Sequence, residues 1–450
     1  MKIDKVYWLS RMESLMKKYD IPGTSVSIYL NGEIYNFQSG KLHLQRNELV
    51  NQNSLFQIGS ITKVYTAIMI LKLVEQGKIE LNTKVNDILQ IYDKDIQYLN
   101  QITIDQLLSH TSGLTGDYYL NTGRGDDCLQ KYVAHLQDIA FDASPDEVVS
   151  YSSVGYNLLG SIIENITGFT WDDALYRFII KPMNMNHTET LPENILNHTF
   201  ATGHYYDNSG DLQSNEKWNT LSRSSGPYGG TLCSSAENVT RSFLPFLALE
   251  QNDELLNSSS KKLMTTPQMN CHDKWTFKSY AWGRGFSLYN YDKEKGFGHE
   301  GSMFGQYSYV DILPTSNLII TILVNGGKYQ SFYHEFVGEL IEYLNVGELQ
   351  PLLSTYHSIN LSNAEKYIGT YKREGLKIEV YEHENQLMLT GQFIDSMAGF
   401  SEPITVPLEM KEEDVFIIPL GTEVIPIVFI KLNSSIDYSI MLGMRIAKKL

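Results

Sequence analysis

The sequence predicts an α+β protein: an antiparallel sheet flanked by helices, with a helical insertion beside it, followed by a small C-terminal β-barrel. Three observations predict it. Strand signals cluster early and late in the longer N-terminal part, helix-period patterns fill the middle and both flanks, and beyond residue 361 only short strand-like runs remain. At 450 residues the chain is too long for one ordinary core, and the expected division is a domain over 1–348, a linker over 349–360 and a β domain over 361–450.

Met1 to Asp20 reads as an amphipathic helix carrying Arg11, Lys17 and Lys18. Thr24 to Phe37 is rich in β-branched residues and is split by Asn31-Gly32, the strongest short-range signal for a type I′ hairpin. From Ser60 to Gly77 the pattern turns helical, with Ile61, Val64, Tyr65, Ile68 and Leu71 at helix spacing. The chain to about Leu249 reads as helices and loops punctuated by Gly and Asn. Three late strands are expected at Ala281–Tyr291, Gln306–Leu313 and Leu318–Asn325, the last two joined through a Pro314-Thr315 turn, and an amphipathic helix follows over Tyr329–Leu344. A single sheet assembled from both ends of this domain accounts for the order, and the cleft between sheet and insertion is the natural site. Beyond the linker, Lys377–Tyr381, Gln386–Leu389, Val415–Ile418 and Val424–Ile430 are short strand-like runs separated by turn residues.

Composition narrows the function. Hydrophobic residues make up 42% and charged residues 20%, as in a globular protein, and the formal net charge is −16. Such a field repels phosphate backbones and anionic bilayers, so neither nucleic acid nor a membrane surface is an expected partner. Cys128, Cys233 and Cys271 are far apart and form no Cys-x-x-Cys pair, which argues against a disulfide framework or a structural zinc site. The N-terminal helix has no apolar run of signal-peptide length, and the expectation is a cytoplasmic protein.

The chemistry is concentrated at Phe56-Gln57-Ile58-Gly59-Ser60-Ile61-Thr62-Lys63. Ser60 opens a helix and Lys63 follows at i+3, so both side chains share a face beside free N–H groups and the positive end of the helix dipole. A lysine shielded from water there loses basicity and can accept the serine proton. Alone, Ser-x-x-Lys is common, and the same residues describe an N-cap and a solvated lysine equally well. Downstream, however, lie Tyr151-Ser152-Ser153-Val154-Gly155-Tyr156-Asn157 and, opening a strand, His299-Glu300-Gly301-Ser302.

In this order and at these separations, the three segments resemble the signature boxes of the serine β-lactamase and DD-peptidase superfamily, most closely its class C β-lactamase-like branch of esterases, D-amino-acid peptidases and acyltransferases. The stretches Leu107-Leu108-Ser109-His110-Thr111-Ser112-Gly113-Leu114, Gly229-Gly230-Thr231-Leu232-Cys233-Ser234-Ser235-Ala236 and Gln306 through Asn325 agree with it, and the resemblance covers about residues 5–345. It implies that Ser60 attacks the acyl carbon and that Lys63 and Tyr151 relay protons, the phenol losing its proton well below its ordinary pKa. It further implies that His299 lines the cleft and assists, and that the N–H groups of Ser60 and Ser302 hold the oxyanion, with Gly301 and Ser153 lining the substrate site. No metal or cofactor is implied. One departure stands out: the second box usually reads Tyr-x-Asn, and Ser153 replaces the asparagine. A serine hydroxyl is shorter and cannot bridge substrate and lysine at once, which argues against efficient β-lactam hydrolysis and for an altered acyl specificity. Asn157 lies outside the box, and nothing in its spacing aims it at the cleft.

Gly296-Phe297-Gly298-His299-Glu300-Gly301 matches a dinucleotide-loop pattern, yet strand rather than helix character follows it, so no nucleotide is expected. Tyr367-Ile368-Gly369-Thr370-Tyr371 resembles the opening of the lipocalin-like domain behind many such enzymes, where it either shapes the cleft or serves as a stabilising appendage. The expected substrate is a small peptide-like amide or ester. A carrier-protein-bound peptide, released or cyclised by a penicillin-binding-protein-type thioesterase, is the alternative, and a non-catalytic scaffold is a third reading.

Overall fold

The computed structural model describes residues 2–450 apart from 90–99, 137–138, 140, 208, 216–220, 248–252, 254, 362 and 421–422. The end of the helical stretch expected near Leu249 lies outside these described residues. Helix α1 (Lys5–Lys18) starts where the Asp4 carboxylate accepts from the N–H groups of Val6 and Tyr7. It buries Trp8, Met12, Leu15 and Met16, the i, i+4, i+7 and i+8 stripe that sequence periodicity called for.

Strands β1 (Gly23–Leu30) and β2 (Glu33–Gly40) form the expected hairpin, with Leu30 opposite Glu33. Asn31 and Gly32 both take positive φ, 48° and 94°, as a type I′ turn requires. Helix α2 (Thr62–Glu75) is buried from Thr62 to Leu71 on every side, because it runs through the middle of the main core rather than across a surface. Helix α3 (Ser153–Thr167) packs against it, capped by Ser152, whose hydroxyl accepts from Gly155 N–H, and ended by Gly168 at φ 72°.

The late strands are β3 (Ser287–Tyr291), β4 (Glu294–Met303), β5 (Gln306–Leu313) and β6 (Leu318–Val324), followed by helix α4 (Tyr329–Tyr343). The sheet runs β2-β1-β6-β5-β4-β3, then Ala281–Trp282 and Met269–Asn270, so the two ends of the domain do meet, at the β1–β6 pair. One core lies between the sheet and the helical insertion, and a second lies between the sheet and the pair α1/α4. Arg11 ties the two outer helices together through Glu335, at 2.8 Å, and Glu339.

Two expectations need correction here. The single strand expected over Ala281–Tyr291 is broken in two, and β4 is a full strand that was not foreseen. The triplet His299-Glu300-Gly301 therefore lies near the end of a strand instead of opening one. Its glycines hid it: Gly298 sits where a side chain would collide with the backbone of Val310 on β5, so packing selects a residue that strand propensity disfavours.

The C-terminal strands form a nine-stranded antiparallel, nearly closed barrel, with Ile404–Pro407 at one edge and Glu409–Glu412 at the other. Its interior is filled by Tyr367, Tyr371, Phe416 and Phe429, with ring centroids 4.6–6.0 Å apart where they touch. The four runs read from the sequence lie within Leu376–His383, Gln386–Phe393, Val415–Leu420 and Glu423–Lys431. The strand Arg445–Lys449, too charged to register as one, was missed.

Candidate active site

The nucleophile position is made by two constrictions. Gly59 takes φ 51°, and a side chain there would meet the N–H of Ser302 at 2.6 Å. Ser308 Oγ, on β5, donates to Ile58 O at 2.7 Å and clamps the same loop. The segment Gly59–Ile61 is thus a 3-10 turn pressed against the end of β4, and α2 begins only at Thr62. This close approach brings the backbone N–H groups of Ser60 and Ser302 to one side of the cavity, where an oxyanion would gather its donors.

Lys63 Nζ lies 3.1 Å from Ser60 Oγ and donates to Tyr228 O at 2.8 Å. The amine is fully buried and sits 4.7, 5.3 and 5.8 Å from the ring centroids of Tyr151, Tyr228 and Tyr156. Aromatic faces favour an ammonium, but loss of hydration, reinforced by the Arg445 charge, drives the pKa of Lys63 well below the ordinary lysine value. Burial wins because no carboxylate pairs directly with the amine, and a neutral lysine at hydrogen-bond distance from a serine is a competent base.

Tyr151 stands beside this pair. Its N–H donates to Met444 O at 2.8 Å, and its ring packs on His110 at 4.4 Å and Phe277 at 4.9 Å. Its hydroxyl is buried beside Ser60. Burial raises the phenol's pKa, the opposite direction to the lowering that the resemblance implied. His299 also departs from expectation. It is wholly buried behind Tyr151, with ring centroids 6.0 Å apart, and is not a cavity wall. Its Nδ1–H donates to Glu300 O at 2.6 Å, and burial lowers its pKa to about 3, so the ring is neutral.

Ser60, Tyr151, Gly301 and Ser302 line a cavity of about 370 Å³. Ser153 does not line it. It begins α3 outside the cavity lining, near Asp117, so it does not stand in for the missing asparagine. Asn157 is buried one helical turn further on and lines a separate hollow with Tyr118 and Tyr132.

The barrel supplies the part that the sequence did not disclose. A two-residue turn, Gly443 and Met444 at φ 59° and 57°, joins Tyr438–Leu442 to Arg445–Lys449 and plugs into the first domain. Met444 packs on Val149, Tyr151 and Trp282, and Arg445 reaches the cavity with its guanidinium 4.9 Å from the Tyr151 ring. Asp117, held below the usual carboxylate range by its cations, binds Arg445 at 2.7 Å and faces Arg373 at 3.6 Å. Val424, Ile425 and Pro426 complete the roof. No sequence signal marked Asp117 or Arg445, because their partnership spans 328 positions.

The beta-lactamase family model matches residues 10–336, which include every box of the site up to Ser302. The chain belongs to the beta-lactamase family. It is 36% identical over 378 residues to Penicillin-binding protein 4 of Amycolatopsis lactamdurans, covering 83% of this chain and 99% of that one. Among solved structures, SurE superposes with a TM-score of 0.81 at 22% identity over 99% of both chains, barrel included. The D-amino acid amidase of Ochrobactrum anthropi superposes with a TM-score of 0.62 at 20% identity, over 76% of this chain and 98% of its own. The family is one of serine hydrolases, and these two likenesses establish its fold in this chain.

Proposed function

We propose that the protein is a serine acyl-transfer enzyme that forms an acyl-enzyme on Ser60 with small peptide-like amides or esters carrying a D residue at the scissile bond. The observation that carries this reading is the buried, charge-depleted Lys63 amine 3.1 Å from Ser60 Oγ. Lys63 takes the serine proton as Oγ bonds to the acyl carbon, and the N–H groups of Ser60 and Ser302 hold the oxyanion. Tyr151, protonated, delivers its proton to the departing group as the acyl–leaving-group bond breaks, and is reprotonated from Lys63. Water or an amine then attacks the acyl-enzyme, and the protons travel back. Arg445 presents a cation to the same cavity and suits a carbonyl or carboxylate of the substrate. The solved form of SurE with D-Leu supports the choice of D residue, while the Ochrobactrum anthropi D-amino acid amidase has been solved with both D- and L-phenylalanine.

Intact mass after brief exposure to D-aminoacyl esters, N-acetylcysteamine thioesters and a penicillin tests the reading. We expect an adduct on wild type and none on Ser60→Ala. Equal adducts on both proteins, or neither adduct nor product from any donor, would overturn it.

The barrel roof favours a second outcome of the same chemistry. Val424 to Pro426 and Arg445 line the same cavity as Ser60, and a wall of apolar residues there suits an amine acceptor in place of water, as in a thioesterase that cyclises a carrier-bound peptide. A peptide N-acetylcysteamine thioester would then give mainly ring, whereas mainly linear acid would mark a hydrolase.

A further inference from the structure

The cavity does not end at Ser60. Its lining also includes an aromatic arm, Tyr307 and Tyr309 of β5 with Tyr329 and Tyr333 of α4, together with the two charged side chains Glu300 and Lys278. Glu300 and Tyr309 are cross-strand partners, as are Ser302 and Tyr307, so the acid and the rings project from one face of the sheet.

Charge is unbalanced in this arm. Lys278 is shared between two carboxylates, Glu300 at 3.3 Å and Asp311 at 3.4 Å. Asp311 is otherwise well supplied, because Tyr333 and Tyr291 donate their hydroxyls to it at 2.6 and 3.0 Å, and only 1% of its side chain is exposed. Glu300 lines the cavity and keeps 20% of its side chain exposed. Two carboxylates face one ammonium, and that ammonium, Lys278, already lies 3.9 Å from the Tyr333 ring and 5.5 Å from the Tyr309 ring, so the aromatic wall is one that accommodates a cation. Burial also raises Glu300 to a pKa of about 7, so the carboxylate gains from an incoming positive charge. At the other end of the cavity the excess is positive, since Arg445 and Arg373 face Asp117.

We infer that the tyrosine-walled arm ending at Glu300 is a specificity subsite for a primary ammonium group on the substrate. This rests on the acyl-enzyme reading above only in that the ammonium belongs to a molecule acylating, or leaving from, Ser60. The carboxylate accepts a charge-assisted hydrogen bond from the ammonium while the rings cover the attached methylenes. The group is carried either by the acyl portion or by the leaving or accepting portion.

Two matched substrate pairs separate these sources: D-ornithine against D-norvaline methyl esters, and D-alanine esters of 3-aminopropanol against those of butanol. For the pair whose ammonium reaches the arm, wild type should favour the charged member in kcat/KM by at least about tenfold, the size of one charge-assisted hydrogen bond. Glu300→Gln should bring that ratio near one, and Glu300→Asp should restore part of it. A purely structural role for Glu300 would lower both members together and leave the ratio standing. Ratios unchanged by Glu300→Gln in both pairs would overturn the inference while leaving the acyl-enzyme intact. Calorimetric binding of benzylammonium against benzyl alcohol to the Ser60→Ala protein reads the arm without turnover. Tighter binding of the ammonium, lost on adding Glu300→Gln, supports the subsite even if no acyl donor is found, and equal affinities refute it.

Discussion

At the scale of single residues, the site depends on a lysine that burial keeps neutral. Lys63 is uncharged over a range where free lysine is ammonium, so activity should rise with pH through a pKa well below the ordinary lysine value and then hold until Tyr151, raised by burial, begins to ionise. A pH profile of kcat/KM checks this; an acid limb centred near 10.5 would contradict it. Lys63→Ala should lower kcat by ~10²–10⁴-fold, the usual weight of a general base, measured in single turnovers. Lys63→Arg should do no better, because a guanidinium does not deprotonate in a protein. The Ser60–Lys63 pair was legible from i+3 spacing, since a helix fixes which side chains share a face. The protonation of Tyr151 and the retreat of His299 from the cleft were not, because both follow from neighbours that lie far away in the chain.

At the scale of elements, α3 carries a pH-dependent contribution of its own. Glu164, near its C-terminus, accepts from Trp171 N–H at 2.9 Å, and burial raises its pKa to about 7. A carboxyl whose folded pKa lies above its unfolded value stabilises at low pH, and that contribution is lost as pH rises from about 4.5 to about 7. Glu164→Gln keeps an acceptor for Trp171 and removes the titration, so wild type should lose more thermal stability than the variant between pH 5 and pH 8 in matched melting curves, by roughly the shift's direction. Helix α1 makes a simpler case: Trp8→Ala should cost about 3–5 kcal/mol in denaturant unfolding, because Trp8 fills the core between α1 and α4. The α1 stripe and the β1–β2 turn could be read directly, for local periodicity and turn chemistry decide them. Strand β4 could not, because its glycines answer to the backbone of β5 and to the tyrosines packed on it.

At the scale of the whole molecule, the barrel is held to the first domain by a buried ionic cluster. Asp117 and Arg373 are each 7% exposed in their side chains, and Arg445 is 18% exposed. Asp117→Ala leaves two arginines without their counter-charge, which should cost about 3–5 kcal/mol in urea unfolding. The same variant should also impair acylation, because Arg445 and the Met444–Tyr151 backbone bond lie at the nucleophile. A variant unfolding at the wild-type midpoint with unchanged acylation would show that the cluster neither joins the domains nor shapes the site.

Sequence by itself determined the flanking helices, the hairpin at Asn31-Gly32, the placing of serine and lysine on one helical face, and the existence of a trailing β domain. These are set by spacings of a few residues, where backbone geometry alone relates one side chain to the next. Tertiary structure decided the rest: that Lys63 is stripped of water, that Ser153 lies near Asp117, and that a turn of the barrel closes the cavity with Arg445. Each of these is a matter of desolvation and charge pairing between segments from tens to hundreds of positions apart, and such pairings exist only once the chain has folded.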